Sequence, residues 1–386
     1  MSSATRSAGP EAGKPHGPKR ILLAITALGL GGAERVLSLM ANHWAQQGRE
    51  VHVVTLAAPH EPFTALDHRV RLRHLGVAGV SGNALAAISA NIGRVSALRR
   101  ALRDIRPDCV IGFMDTTSML CILAARGLGI PVIAAEHIDP NVHRIGRAWE
   151  ALRRALYPLA GAVVVLTSSA ASYFPASLQK LITVIPNPVV QPRNMTPTEP
   201  APQTRTLVAM GRLTSQKGFD LLLEAYSKIA RIFPGWRLVI LGEGHQRTNL
   251  ETQLRETGLD KLALLPGAAA DPFPILAQAD LFVLPSRFEG FPMTLCEALA
   301  CGLPAVAFDC PSGPAEILRP EVDGLLVPPG DVEALAAALA RLMGDSDLRQ
   351  RMAKRAPEVL ERFGLEKVLD MWEALLMRIA RHEGRP

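Results

Sequence analysis

The sequence predicts an α/β protein made of two doubly wound parallel-sheet domains, and three observations carry that prediction. Short apolar runs alternate with amphipathic stretches along nearly the whole chain, the rhythm of repeated β-α-β units. That rhythm breaks between Pro188 and Arg205, where five prolines and almost no apolar periodicity mark a connection between two folded parts. Aromatic residues make up only 5% of the 386 residues while Ala, Leu, Val and Gly abound, which suits strands buried under small-residue helices better than an all-β sandwich. The length itself favours two cores over one.

Taken in order, residues 1–19 are rich in Ser, Gly, Ala and Pro and cannot bury enough surface to offset their ordering entropy, so a disordered tail is expected. The first domain spans 20–188. Its strands are expected at ILLAIT (21–26), VHVVTL (51–56), DCVIGF (108–113), IPVIAAE (130–136) and AVVVLT (162–167), with a helix over Ala33–Gln47. A linker covers 189–205. The second domain, 206–365, repeats the alternation: a strand at 206–210, a helix at 218–232, strands at WRLVILG, LALLPG and DLFVLPS, a helix over 292–301, then strands PAVAFD and GLLVPP. Asp331–Met343 and Leu348–Phe363 have helical periodicity, and a last helix in 366–386 is expected to cross back to the first domain.

Composition excludes several classes of function. The five cysteines lie in apolar runs without metal-ligand spacing, which predicts reduced, mostly buried thiols. Lys19-Arg20 followed by Ile21–Leu30 imitates a signal peptide, but Gly31-Gly32-Ala33-Glu34-Arg35 then opens a periodic helix, so a first buried strand is expected instead. Nothing approaches the roughly 18 to 20 apolar residues of a membrane span. A cytoplasmic protein follows. Residues 1–195 carry 21 Lys and Arg against 11 Asp and Glu, leaving 21 against 25 for the remainder, so only the first half is basic. Within it, Ile92–Arg106 and Val142–Tyr157 place apolar residues at helical intervals opposite arginine clusters, which suits peripheral contact with an anionic membrane surface at the inner face of the cytoplasmic membrane. With no nucleic-acid-binding module, no nucleic acid partner is expected.

Two stretches concentrate the chemistry. Arg287-Phe288-Glu289-Gly290-Phe291-Pro292-Met293-Thr294 through Glu297-Ala298 follows the strand at 281–285 and sets two carboxylates across a loop-to-helix junction. Pro292 suits the first helical turn, so the free amides of Phe291, Met293 and Thr294 make an anion site beyond a strand's carboxyl end. Glu289 and Glu297 suit the hydroxyls of a sugar and a ribose. Gly211-Arg212-Leu213-Thr214-Ser215-Gln216-Lys217-Gly218 likewise follows a strand and brings two cations to the same edge, Arg212 as a bidentate phosphate grip and Lys217 as a mobile point charge. Such cations can carry the charge of a leaving phosphate without a metal.

These residues resemble the signature of the retaining glycosyltransferases of family 4, which share the GT-B fold of two facing Rossmann-like domains with an interdomain cleft. The matching patterns are G-R-L-x-x-x-K-G at 211–218 and E-G-F-P-x-x-x-x-E-A-x-A-x-G-x-P at 289–304, with Gly29-x-Gly31-Gly32-Ala33-Glu34-Arg35-Val36 and Pro186-Asn187-Pro188 as further similarities. The resemblance implies that Arg212 and Lys217 bind the donor diphosphate and Glu297 the ribose. Glu289 with Gly290, Phe291, Met293 and Thr294 would hold the donor sugar and its phosphate, and Pro266 and Gly267 would lie near the nucleobase. It implies catalytic roles for Glu289, His137, Arg212 and Lys217, with the leaving diphosphate taking the acceptor proton. No metal or cofactor is called for; the nucleotide diphosphate sugar, taken as UDP-linked, is a substrate. The acceptor would be a glycan, polyprenyl-diphosphate-linked in the bacterial exopolysaccharide and cell-surface members that Asp309–Ile317 resembles.

Three features need separate weighing. Gly31 and Gly32 follow the first strand but lack the third glycine of a dinucleotide fingerprint and its later acidic residue, so they suit an acceptor or phosphate loop, or a tight turn. His137, at a strand end in AAEHIDP, resembles a family histidine facing the donor sugar; Glu136 and Asp139 are weaker candidates. Asp345-Ser346-Asp347 is the only D-x-D, and with no strand before it a helix cap is the expected role. Sugar-nucleotide epimerases share this architecture, and a catalytically silent assembly subunit is the remaining alternative.

Overall fold

The computed structural model describes residues 17–29, 31–59, 62, 64–79, 82–192 and 204–383. The predicted tail up to residue 16 and most of the predicted linker lie outside these residues.

The first sheet contains β1 (Arg20–Ile25), β2 (Glu50–Thr55), β3 (Arg71–His74), β4 (Cys109–Phe113), β5 (Val132–Ala135), β6 (Ala162–Val165) and β7 (Ile182–Val184), in the order β3-β2-β1-β4-β5-β6-β7. Helices α1 (Gly32–Gln46), α2 (Ala84–Ile105), α3 (Asp115–Ala125), α4 (Arg147–Leu156) and α5 (Ser168–Ser172) join the strands. The second sheet contains β8 (Arg205–Met210), β9 (Trp236–Leu241), β10 (Ala263–Gly267), β11 (Leu281–Leu284), β12 (Ala305–Phe308) and β13 (Gly324–Val327), ordered β10-β9-β8-β11-β12-β13. Its helices are α6 (Phe219–Ile229), α7 (Arg247–Glu256), α8 (Phe273–Leu276), α9 (Met293–Ala300), α10 (Pro314–Ile317) and α11 (Val332–Gly344). The chain closes with α12 (Ser346–Arg355), α13 (Val359–Phe363) and α14 (Leu365–Glu383).

Central strands such as β1, β4 and β11 are continuous apolar runs because helices cover both of their faces, the burial expected of parallel sheets. In the second sheet one core gathers Leu207, Leu238 and Val283 with α6 and α11, and the other gathers Phe282, Val306's neighbours Ala305 and Ala307, and α9. The strand order reverses between β8 and β11, so the chain segments leaving these two parallel strands diverge at their carboxyl ends and leave a crevice for a ligand.

Contacts divide the chain into two compact units, one made of Met1–Ala134, Ala155–Ala162 and Trp372–Pro386, the other of Ala135–Arg154 and Val163–Met371. In the first unit, Glu373 of α14 accepts from Trp44 Nε1 at 2.7 Å and pairs with both terminal nitrogens of Arg49 at 2.6 and 2.7 Å. The second unit carries both chemistry-bearing stretches together with the loop that follows β5.

Two expectations need correction. The helix expected over Leu348–Phe363 is broken into α12, a 3-10 turn over Ala356–Glu358 and α13, because Pro357 has no N–H to continue the ladder. Pro292 does not occupy the first helical turn. It is the N-cap of α9 with extended ψ of 91°, and its carbonyl accepts from the N–H groups of Leu295 and Cys296 at 3.1 and 3.3 Å.

Candidate donor site at the second sheet's switch point

The segment after β8 is a tight 3-10 turn, Ser215–Lys217, and it docks on the segment after β11. Gly218 makes this approach possible. Its φ is +63°, and a Cβ there would lie 2.0 Å from the Pro285 carbonyl oxygen. Backbone and side chains then stitch the two segments: the Arg287 N–H donates to Gln216 O at 2.8 Å, Gln216 Nε2 to Phe288 O at 3.0 Å, and Arg287 Nη1 to Ser215 O at 2.7 Å. Arg287 also pairs with Asp220 through both terminal nitrogens at 2.8 and 2.6 Å, and this guanidinium holds the Asp220 carboxyl below its usual range.

The docking brings Lys217 and Glu289 together, Nζ to Oε1 at 2.6 Å, and Ser286 Oγ donates to the same oxygen at 2.6 Å. Glu289 is 5% exposed. Among the described residues both hydrogen bonds end on Oε1, which leaves Oε2 able to accept from a ligand hydroxyl. Glu297, on the second turn of α9, is 4% exposed. The N–H groups of Met293 and Thr294 at the start of α9 find no acceptor among the described residues, and the buried Thr294 Oγ1 has none either. A helix N-terminus with unpaired donors, beside a lysine, is suited to phosphate. Arg212 is exposed and makes no side-chain hydrogen bond among the described residues. It sits in a segment tied to the next strand: Gly211 N–H donates to Leu241 O at 2.9 Å and Leu213 N–H to Glu243 O at 2.9 Å.

That tie extends to the segment expected to meet a nucleobase. The Gly242 N–H donates to Gly267 O at 2.9 Å, and Arg247 Nη1 to Leu265 O at 3.2 Å, so Pro266 and Gly267 end the edge strand β10 beside the loop that follows β9. Proline is tolerated there because an edge strand need not donate every N–H.

His137 reaches the same neighbourhood through its backbone. A Cβ on Gly290 would lie 3.0 Å from His137 O and 3.3 Å from Ile138 Cα, so a larger residue there would push the two loops apart by a few tenths of an ångström. The imidazole is buried, and burial pushes its pKa down to about 4, with a hydrogen-bonding interaction from Asn187 acting in the opposite direction. It is therefore a neutral group near pH 7. Glu136 pairs with the buried Arg153 at 3.3 Å, and Asp139 accepts from Ser312 Oγ. Gly31 is the extended N-cap of α1 and Gly32 its first residue, and a Cβ on Gly31 would meet the Glu34 carboxylate.

Sequence reasoning missed Ser286, Asp220, Arg287 as a brace, Ser312, and Glu316, whose carboxylate caps α5 through the N–H groups of Ser168 and Ser169 at 3.0 and 3.1 Å. Asp220 with Arg287, Ser312 and Glu316 act through partners distant in sequence, a signal one chain does not display, whereas Ser286 lies only three residues before Glu289. Asp345 accepts from Leu348 N–H at 2.8 Å and caps α12, as its position indicated. The cysteines are free thiols; burial pushes those of Cys121 and Cys310 up to about 12, the Glu289 charge adding to the Cys310 shift.

Two doubly wound parallel sheets, the second with a cation and a carboxylate meeting at its switch point, are the architecture of the GT-B class to which glycosyltransferases belong. The chain belongs to that class by sequence: the family described as Glycosyltransferase Family 4 matches residues 30–190, and Glycosyl transferases group 1 matches residues 191–359. It is 33% identical to an exopolysaccharide phosphotransferase of Streptomyces coelicolor over 92% of this chain, although it spans only 40% of that relative's length. It is 27% identical to a Campylobacter jejuni α-1,4-N-acetyl-D-galactosaminyltransferase named for an undecaprenol-diphosphate-linked glycan, covering 93% of this chain and 99% of the other. The fold superimposes with a TM-score of 0.77 on TarM of S. aureus, solved with fondaparinux, α-GlcNAc-glycerol and UDP, at 15% identity and covering 93% and 99% of the two chains.

Proposed function

We propose that this glycosyltransferase moves a hexose or N-acetylhexosamine, with retention and without a metal ion, from a UDP-sugar to a polyprenyl-diphosphate-linked or other glycan acceptor in bacterial polysaccharide assembly. The observation that carries the donor side is the Lys217–Glu289 pair beside the unpaired N–H groups of Met293 and Thr294. A diphosphate placed there would meet Lys217, Arg212 and the amino end of α9, while its sugar hydroxyls would meet Glu289 Oε2. In the reaction the acceptor hydroxyl oxygen bonds to the anomeric carbon, the bond from that carbon to the β-phosphate oxygen breaks, and the hydroxyl proton passes to the departing diphosphate. Arg212 and Lys217 would stabilise the charge developing on that diphosphate. Glu297 would accept hydrogen bonds from the ribose. The neutral His137 would donate or accept a hydrogen bond at the sugar, since it carries no charge near pH 7.

The lipid-linked acceptor and the polysaccharide setting draw support from the Streptomyces and Campylobacter relatives, and UDP from the ligand bound to TarM. Incubation of the protein with labelled UDP-sugars and lipid-extracted glycan carriers tests the proposal. Release of UDP only when acceptor is present, with label in the lipid fraction and the α-anomer by NMR, is expected. Interconversion of the nucleotide sugar without acceptor would instead indicate an epimerase. Unchanged glycan production by a Glu289→Ala strain would indicate a subunit without catalytic activity.

A further inference from the structure

The loop that carries His137 is pinned on both sides of that residue. On the upstream side Glu136 Oε1 lies 3.3 Å from Arg153 Nη1, and the two side chains are each 3% exposed. Arg153 is held in turn. Its Nη2 donates to the Tyr173 hydroxyl at 3.0 Å and bonds Glu150, that hydroxyl donates to Glu150 Oε1 at 2.6 Å, and the guanidinium lies 5.0 Å from the Tyr173 ring centre. Because Arg153 stands on α4, the helix that follows this loop, the ion pair closes the loop on itself. On the downstream side the buried Asp139 takes the Asn141 N–H on Oδ1 at 2.8 Å and the Ser312 hydroxyl on Oδ2.

The Ser312 segment also lies against the loop of Glu289. The Glu289 N–H donates to Pro311 O at 3.4 Å, and a Cβ on Gly313 would lie 2.6 Å from Pro292 Cδ. Loops 136–139, 289–292 and 311–313 therefore form one packed group. Ser312 holds φ at +65°, a left-handed conformation that strains any residue with a Cβ and that glycine adopts freely. Glycine would fit position 312 with less strain; what serine adds is a hydroxyl, and the hydroxyl reaches Asp139. The Glu136–Arg153 pair has the same character, since a buried ion pair stabilises a fold no better than apolar side chains of like volume but admits only one arrangement of its partners.

We infer that Arg153 and Ser312 are positioning residues: Arg153 through Glu136, and Ser312 through Asp139, hold the His137 loop against the 289–292 loop, so that the imidazole meets the donor sugar in one fixed place. This rests on the proposal that His137 acts at the sugar of a nucleotide donor.

Two readouts on the full chain test it: kcat for sugar transfer, and NMR titration of the His137 ring. Both are taken on wild type, Ser312→Gly and Arg153→Lys, and kcat also on each variant combined with His137→Gln. Ser312→Gly removes the hydroxyl and relieves the left-handed strain, so the fold should persist, and it carries the test alone if Arg153→Lys unfolds. In each single variant kcat should fall about tenfold or more, as misplacement of a reacting group does, with UDP affinity unchanged by thermal shift. In the His137→Gln background neither substitution should lower kcat further, because residues that act as a unit are not additive. The ring, whose pKa burial pushes down to about 4, should titrate closer to its ordinary 6.5 in both variants as water reaches it. A brace of general structural value would instead lower kcat equally in both backgrounds. The inference is overturned by such additivity, or by wild-type kcat or an unmoved His137 titration in Ser312→Gly. If the chain neither binds UDP nor transfers sugar while the ring titration still moves, the proposed function fails and the clamp on the loop stands. If transfer is intact and both variants match wild type in kcat and titration, the clamp alone fails.

Discussion

Lys217 and Glu289 are 72 residues apart in the chain, and their side chains meet at 2.6 Å with 13% and 6% of their surfaces exposed. The pair joins the two segments that diverge from the sheet's switch point, so one ion pair both braces the rim and presents a cation and a carboxylate to whatever binds there. Lys217 would otherwise be a charge largely removed from water without compensation.

Removing one partner should therefore disturb stability and transfer together. Glu289→Ala is expected to cost about 1–3 kcal/mol of unfolding free energy through the unpaired lysine, and to lower kcat/KM by about 10²–10³-fold if Glu289 contacts the sugar in the transition state. Glu289→Gln, which can still accept from Ser286, should be milder in urea denaturation. A stability loss with unchanged transfer would reduce Glu289 to a brace.

Arg212 makes the opposite prediction. Because it is exposed and unbonded, Arg212→Ala should leave stability within about 0.5 kcal/mol. Its donor KM should rise about tenfold or more, the loss of one charge-assisted phosphate contact. Arg212→Lys should recover only part, since an ammonium cannot grip two oxygens in parallel. Unchanged donor kinetics in Arg212→Ala would remove it from the site.

Gly218→Ala tests the docking of the two loops. A residue with a Cβ at φ +63°, aimed 2.0 Å from Pro285 O, should cost at least about 1–2 kcal/mol in backbone strain alone. The clash should also separate Lys217 from Glu289. Chemical denaturation and donor affinity should fall together; a variant as stable as wild type would show that the turn can be rebuilt.

His137 gives a pH signature. Its pKa is about 4 when folded against an ordinary value near 6.5, so the unfolded chain binds the proton more tightly. The folded state is not penalised above pH 6.5 and loses stability as pH falls from 6.5 toward 4, by up to about 3 kcal/mol from this group. A His137→Gln variant should show a shallower decline than wild type in urea midpoints across that window. Parallel declines would place the acid sensitivity elsewhere.

Local physics made most of the second sheet legible. WRLVILG and DLFVLPS are strands within one or two residues of their expected limits, because buried parallel strands must be continuous apolar runs; LALLPG, at the sheet edge, kept its apolar run with only its alternate residues shielded. The edge strand β3 escaped notice because RLRH is charged and half exposed. Helix α3 escaped because DTTSMLCILAA is buried nearly all round and has no amphipathic period. Helix α2 was expected from Ile92, but the chain turns helical at Ala84; its first half faces outward with apolar residues, so the pattern tied to a core was missing there. At the candidate site, the meeting of Lys217 with Glu289 was legible from their places after β8 and β11, and Arg212 lies after β8 as expected, exposed and without a side-chain hydrogen bond among the described residues. Asp220 and Ser312 were not legible, since each is defined by a partner that only folding brings near; Ser286, three residues before Glu289, was passed over because a serine in a loop is commonplace.

The donor site is tested most directly by thermal shift with UDP and UDP-sugars on wild type, Arg212→Ala and Lys217→Ala. At a hundredfold excess over its dissociation constant a bound nucleotide adds about 2.7 kcal/mol of stability to the wild-type fold. A clear rise in Tm for the wild type, reduced or lost in both variants, is the expected result; no shift with any nucleotide or nucleotide sugar, or equal shifts in all three proteins, would contradict the assignment of Lys217, Glu289 and the start of α9 to the donor.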